Sequence, residues 1–310
     1  MKNEIEDREL LALKGPNGTI PLTHHKARNG GAPAGLSQDA GGRVGILFLN
    51  SMSPSRAARG DSSVRWAEWH AELGYPAFRL DLPGFGDSDT DPPPALQDFV
   101  NLGGYATSAC AAIDQLVAQF RLSGVVLFGL CAGALTAIYT AAASRECRGM
   151  VLLDPYFHLP LVAKPSAAEK LGRLVPPGVM RRTLRTMAEK IRAARKRHLK
   201  KQLPENANLG LLDRWGKATS KGLPVLIINA PTNRPKEENF NYIDYIRTLN
   251  VSEGQVTLQA IQGADHTFSN RRGLDAVKQH TEDWLGGNFP LARYGGSAID
   301  AVDTESTVVR

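Results

Sequence analysis

The sequence predicts an α/β fold, a mostly parallel sheet with helices on both faces and a helical lid inserted between two strands. Three observations predict it. Short, wholly apolar runs recur along the chain, as expected of strands buried on both faces. Most are followed by a turn and a segment with helical apolar spacing, the alternation that builds parallel sheets. One stretch of 68 residues, 155–222, breaks the alternation with a basic helical pattern before the sheet resumes.

The elements follow in order. Residues 3–27 supply one or two antiparallel edge strands, including "GTIPLTHH" after the turn "GPNG", and "NGGAPAGLSQDAGG" (29–42) reads as a flexible loop. "RVGILFLN" (43–50) is a buried strand. "SSVRWAEWHAELG" (62–74) has near-helical apolar spacing and stops on Gly74. "YPAFRLDL" (75–82) is a strand, "PGFGDSDTDPPP" a loop, and one long helical pattern covers about 96–120. "GVVLFGL" (124–130) is a strand that runs into a helix over about 132–145. "GMVLLDP" (149–155), "LPVLIINAP" (223–231) and "QVTLQAI" (255–261) are three more strands, and "RRGLDAVKQHTEDWLGG" (271–287) is a final amphipathic helix. This divides the chain into a core of 1–154 and 223–289, a basic cap of 155–222, and a tail of 290–310 rich in small and polar residues, for which disorder is expected.

With 42% hydrophobic and 22% charged residues, the composition fits a soluble globular protein. No apolar run approaches the ~18–20 residues of a membrane span, so no stable membrane insertion is expected. The acidic start, "MKNEIEDREL", is unlike a secretory signal, which makes the cytoplasm the expected location. Three cysteines without CxxC spacing indicate neither a disulfide framework nor a zinc site, and no cofactor is called for. Cys110, in an alanine-rich helix, and Cys147, in a helix-to-strand connection, fit the usual role of small buried hydrophobes. The net charge of +6 is unevenly spread. Residues 155–222 hold 16 Lys/Arg against 4 Asp/Glu, a local net of +12, which leaves the rest of the chain at −6.

Cys131 stands in "GLCAG" (129–133), between an apolar strand and a helix. This arrangement resembles the nucleophile elbow of the α/β-hydrolase fold, G-x-S-x-G, with cysteine in the serine position. "DLPGFGDSD" (81–89) resembles the D-x-x-G-x-G-x-S loop many such proteins carry after the preceding strand, and "QGADHTFSNRRG" (262–273) resembles the catalytic-histidine loop. The resemblance covers roughly 40–290, the lid matching in position only. It is closest to the serine-aminopeptidase-like and exosortase-associated hydrolases, with dienelactone hydrolase as a precedent for cysteine at the elbow. It implies Cys131 as nucleophile and His266 as base. Of the other histidines only His158, at the mouth of the lid, is placed to line a pocket; His24, His25, His70, His198 and His280 have no informative context.

The third member departs from the family pattern. An acid is expected shortly after "LPVLIIN", where the usual spacing puts Asn233; Asn still accepts a hydrogen bond from imidazole and fixes its tautomer. Asp154, ending the strand after the elbow helix, is the chief rival, and Glu237 or Glu238 follow. The oxyanion hole needs two backbone N–H groups, from Ala132 after the nucleophile and from Ser51 or Met52 after "GILFLN". Arg56 and Arg59 in that loop are either ligands for a substrate carboxylate or phosphate, or solvated surface charge.

The chemistry so implied is covalent acyl transfer through a thioester on Cys131, ending on water or on an acceptor. That makes the expected enzyme a hydrolase, thioesterase or acyltransferase of small-molecule or secondary metabolism. A +12 segment beside the entrance favours an anionic partner, such as an acyl group carried by coenzyme A or by an acidic acyl carrier protein. Nucleic acid is not expected, because the segment carries one Trp, one Tyr and no recognised motif. Two other classes stay open: a lyase or isomerase using His266 as base without an acyl-enzyme, and a non-catalytic binding protein on a degenerate scaffold, suggested by the missing acid.

Overall fold

The computed structural model describes residues 7–28, 43–52, 55–160, 203–231, 240–249 and 251–291. It begins with a hairpin, β1 (Arg8–Gly15) and β2 (Gly18–His25). Then come β3 (Val44–Leu49), a 3₁₀ turn (Arg59–Asp61), α1 (Ser62–Leu73), β4 (Ala77–Leu80), α2 (Leu96–Asn101) and α3 (Ala106–Phe120). β5 (Gly124–Leu130), α4 (Ala132–Ala143) and β6 (Cys147–Leu153) complete the first part. After the insertion follow α5 (Leu209–Thr219), β7 (Val225–Asn229), α6 (Tyr242–Arg247), β8 (Val256–Ala260) and α7 (Arg271–Asn288). Among the described residues the strands form one eight-stranded sheet in the order β1-β2-β4-β3-β5-β6-β7-β8. Pairings from β4 through β8 are parallel, and β1–β2 and β2–β4 are antiparallel.

Every residue of β3, β5 and β7 is buried, which is why these strands read as unbroken apolar runs. Their alternating side chains feed two cores. Leu47, Leu127, Leu152 and Ile227 pack toward α3, α4, α5 and α6, where Ile113, Leu135 and Trp215 meet them. Phe48, Phe128, Leu153 and Ile228 pack toward α1 and α7, against Trp66, Val277 and Trp284. The expected layers are thus present on both faces. Because all six parallel strands point the same way, the ends of β3, β5, β6 and β8 open onto one rim of the sheet, and the candidate residues gather there.

One expectation needs correction, and one element was not foreseen. The pattern over 96–120 is two helices, not one. Gly103, at φ 76°, breaks it, and a Cβ there would stand 2.3 Å from the Tyr139 ring. The Tyr139 hydroxyl donates to the freed Asn101 carbonyl at 2.7 Å. The short α6 is the second departure, since its six residues are too few to show periodicity.

Both described ends of the segment expected as a cap lie against the core. The Leu159 amide donates to Asn206 at 2.7 Å and the Asn208 amide to Phe157 at 2.8 Å, so the chain returns beside the point where it left. The α5 residue Trp215 is fully buried and donates from Nε1 to Ile246 at 2.9 Å. Residues 161–202, which hold 13 of the 16 bases and the helical patterns expected of a lid, lie outside the described residues, as do 29–42 and 292–310.

The buried histidines are structural. Arg79 donates from Nε to His25 Nε2 at 2.8 Å, and the His24 ring stacks on Phe78. The His70 Nδ1–H donates to the Trp66 carbonyl at 2.5 Å, amid Phe48, Trp69 and Phe128. Burial pushes His70 down to about 4 from its ordinary 6.5. A depressed histidine is neutral when folded, so the stability it allows is present above pH 6.5 and is lost as pH falls toward 4. Urea midpoints should therefore drop over that interval, and less steeply in His70→Leu; identical slopes in the two proteins would refute the assignment.

Candidate functional site

The elbow is made by backbone crowding. Cys131 sits between β5 and α4 at φ 54° and ψ −116°, a left-handed conformation that non-glycine residues rarely adopt. A Cβ on Gly129 would stand 2.3 Å from the Gly133 carbonyl, and one on Gly133 would stand 2.8 Å from the Leu49 carbonyl oxygen. Both glycines are therefore demanded by close approach, the first to the turn of α4 and the second to the end of β3. The Cys131 amide donates to Leu153 of β6 at 2.9 Å, tying the bend to the next strand. The thiol is partly exposed where the flanking residues Leu130 and Ala132 are buried.

His266 comes to this bend from the loop after β8. Asp265 clamps the loop by accepting from the Ser269 amide at 3.1 Å, the Ser269 hydroxyl at 3.0 Å and the Thr267 hydroxyl at 3.1 Å. Burial alone would raise the Asp265 carboxyl, but these bonds hold it below the usual range. Phe268, at φ 51° and fully buried, anchors the other side of the histidine. The His266 Nδ1 is hydrogen-bonded to the Asp154 carboxylate. Asp154 holds φ 46° just beyond β6 and donates its amide to Ile228 of β7 at 2.8 Å. The Asp154 bond is the main force raising His266 to about 10; the Cys131 sulfur raises it further, against the opposing effect of burial.

Of the residues expected as third member, Asp154 is the one the structure bonds to His266. Asn233, Glu237 and Glu238 lie outside the described residues. The spacing after β7 pointed to Asn233, but the left-handed turn at the end of β6 brings a carboxylate to the imidazole from two strands away.

Ala132 is the first residue of α4, where a helix leaves its amides without intrahelical acceptors. Because Gly133 touches the Leu49 and Asn50 carbonyls, the loop carrying Ser51 and Met52 begins beside this first turn. Met52 is itself left-handed, at φ 54°. Arg56 holds the loop down: its amide donates to Asp81 at 2.6 Å, its guanidinium binds Asp81 and donates to Asp87 at 2.7 Å, and its Nε donates to Thr23 at 2.9 Å. Asn50 completes the clamp by accepting from the Leu82 amide at 2.9 Å. Arg56 is thus a strut between this loop and the "DLPGFGD" loop, and of the two arginines only Arg59 is left as a ligand candidate. The Asp81 carboxylate also leaves no room for a Cβ on Gly86, which would approach within 2.2 Å, so this second glycine motif packs the same way as the first.

The other thiols are elsewhere. Cys147 starts β6, at the strand end roughly 20 Å from the site by six residues of rise. It is buried, and desolvation pushes its thiol up to about 12. Burial likewise raises Cys110 within α3. Tyr156 is a neighbour of Cys131 that sequence reasoning missed. Burial and then the nearby sulfur push its hydroxyl up to about 12, and it accepts from Gln97 Nε2 at 2.8 Å. His158 lies beside it, ring centroids 5.7 Å apart. Among the described residues no three His, Cys, Asp or Glu side chains are grouped as metal ligands, and no helix is long and apolar enough to cross a membrane.

Residues 46–279 match the alpha/beta hydrolase family. No curated protein matches in sequence. Solved structures with the same fold include an a/b serine hydrolase without lid from Xanthomonas campestris, at 15% identity and TM-score 0.55 over 93% of this chain and 97% of that one. An esterase from Pyrococcus furiosus is 15% identical with TM-score 0.58 over 91% and 92% of the two chains. Est1E from Butyrivibrio proteoclasticus, seen with ferulic acid bound, is 16% identical with TM-score 0.55 over 89% and 99%.

Two outcomes test this geometry. Gly129→Ala should lower stability by about 2 kcal/mol or more through overpacking, read as a shift in urea midpoint; an unshifted midpoint would contradict the crowding. For His266 the folded value lies above the ordinary one, so its stabilisation is complete below pH 6.5 and is lost as pH rises through about 10. Urea midpoints across that interval should decline more steeply in the native protein than in His266→Gln, and parallel declines would count against the Asp154 pairing.

Proposed function

Because the chain belongs to the alpha/beta hydrolase family, we propose that it is a cysteine-dependent acyl-transfer enzyme acting on an ester or thioester. The observation that carries this reading is one juxtaposition: a thiol on a left-handed bend facing an imidazole whose far nitrogen is bonded to a carboxylate. Within the family, the glycine motifs support the serine-aminopeptidase-like and exosortase-associated types, with Cys131 in the nucleophile position.

In this reading Cys131, His266 and Asp154 act as a unit, and His266 holds the proton drawn from the Cys131 thiol as the sulfur attacks. The sulfur attacks the carbonyl carbon and forms the C–S bond, and the carbonyl electron pair moves to oxygen. Amides of Ala132 and of the Ser51–Met52 loop receive that negative charge. As the intermediate collapses, the bond to the leaving group breaks and His266 gives its proton to the departing oxygen or sulfur. Water or another acceptor then attacks the thioester, returns a proton to His266 and frees the thiolate. Asp154 keeps Nδ1 engaged, so that Nε2 is the nitrogen that exchanges the proton.

Hydrolysis and transfer share every step up to the acyl-enzyme. The bases of 161–202 support an anionic acyl carrier, a coenzyme A thioester or an acidic acyl carrier protein. The non-catalytic reading was suggested by a missing acid, and the bond between Asp154 and His266 removes that ground.

Mass spectrometry after exposure to an acyl-thioester should find one acyl group on Cys131, absent in Cys131→Ala; equal labelling of the variant would overturn the assignment. Turnover retained in Cys131→Ala but lost in His266→Ala would point to the lyase or isomerase class instead. Asp154→Asn should lower kcat by about 100-fold or more, with Asn233→Ala within about twofold of native. The reverse ranking would make Asn233 the orienting residue.

A further inference from the structure

Beside the exposed edge of His266 lies an open cavity of about 570 Å³, lined by Arg59, Asp265, His266, Thr267 and Ser269. Its charged lining is unbalanced. The Asp265 carboxylate is already engaged by Thr267 and Ser269 of its own loop. Arg56 and Arg79, on neighbouring elements, are held by Asp81, Asp87, His25 and the Arg56 carbonyl. Arg59 is exposed, and no described carboxylate pairs with it. The turn that presents it is unusual: Ala58, Gly60 and Asp61 have φ of 60°, 64° and 55°. Two of these are not glycine, and such backbone persists only where the surroundings over-determine it. A Cβ on Gly60 would lie 3.6 Å from Ser269 Cβ, so the turn is seated on the loop that carries His266. A strained turn that docks beside the imidazole while leaving its guanidinium without an acid among the described residues is arranged for an anion from outside.

We propose that Arg59 recognises a carboxylate or phosphate on the leaving-group side of the substrate, which makes the substrate class acyl compounds with an anionic leaving group. This rests on the acyl-transfer reading. His266 serves the departing atom in that reaction, so an anion bound in the His266 cavity belongs to the group that departs. Arg59 fixes it by charge-assisted hydrogen bonds, and leaves Cys131 to meet the carbonyl.

The test uses three thioesters of one acyl group: on N-acetylcysteamine, which is neutral, on 3-sulfanylpropionate, which carries a carboxylate, and on coenzyme A, which carries phosphates. In the native protein kcat/KM should favour at least one anionic thioester over the neutral one, and whichever is favoured identifies the anion. Arg59→Gln should cut that preference by about tenfold, and Arg59→Lys by less. Arg65→Gln, a charge deletion on α1 outside the cavity, should leave the preference unchanged. A preference that survives Arg59→Gln, or falls equally in Arg65→Gln, overturns the proposal. Calorimetric titration with free coenzyme A and free 3-sulfanylpropionate separates it from the catalytic reading. If no thioester acylates Cys131 yet Arg59→Gln weakens binding of either thiol, the acyl-transfer reading fails and the anion site stands. Binding equal in both proteins sinks the anion site, whatever Cys131 does.

Discussion

The site depends on how closely three pieces of backbone can approach at the end of β5. Gly129, Gly133 and the Leu49–Asn50 carbonyls lie so near one another that no side chain fits between them. That closeness lets α4 begin immediately after the strand, and it forces Cys131 to φ 54° and ψ −116°, partly buried at the edge of the core on the α1 and α7 face. It also brings the loop after β3 against the first turn of α4. The bend at Cys131 and the placing of the Ser51–Met52 loop are therefore products of one packing event, and the strain at Cys131 is sustained by a strand pair buried on both faces.

Around this junction the residues divide into those that hold and those that face the opening. Asp81 and Arg56 join two loops through a buried ion pair, with Asn50 and Thr23 as further partners. Asp265 and Phe268 set the loop of His266. Asp154 belongs to both groups, since its amide is bonded into the sheet while its carboxylate meets the imidazole. Facing the opening beside them are one edge of the His266 ring and the Arg59 guanidinium.

Legibility in the sequence followed the range of the interactions. The buried strands could be read because each is apolar at every position, and α1 because Gly74 caps it with its amide on Ala71 at 3.1 Å. The histidine loop could be read because it packs its own motif within a few residues, and the elbow because its glycine spacing shows in the sequence even though Gly133 packs on the distant Leu49 carbonyl. The long helical pattern over 96–120 misled because the break at Gly103 is set by Tyr139, which arrives from α4. Tyr156 escaped notice for a similar reason: its bond to Gln97 spans 59 positions of chain.

By itself the sequence determined the alternation of buried strands with helices and the glycine spacing around Cys131, since these follow from local pattern. Only the tertiary structure decided which carboxylate meets His266, because Asp154 and His266 are 112 residues apart and no spacing rule connects the ends of β6 and β8. It also separated Arg56 from Arg59. Three positions apart in one loop and chemically identical, they differ because the Asp81 carboxylate, buried at the end of β4, lies within reach of one and not the other.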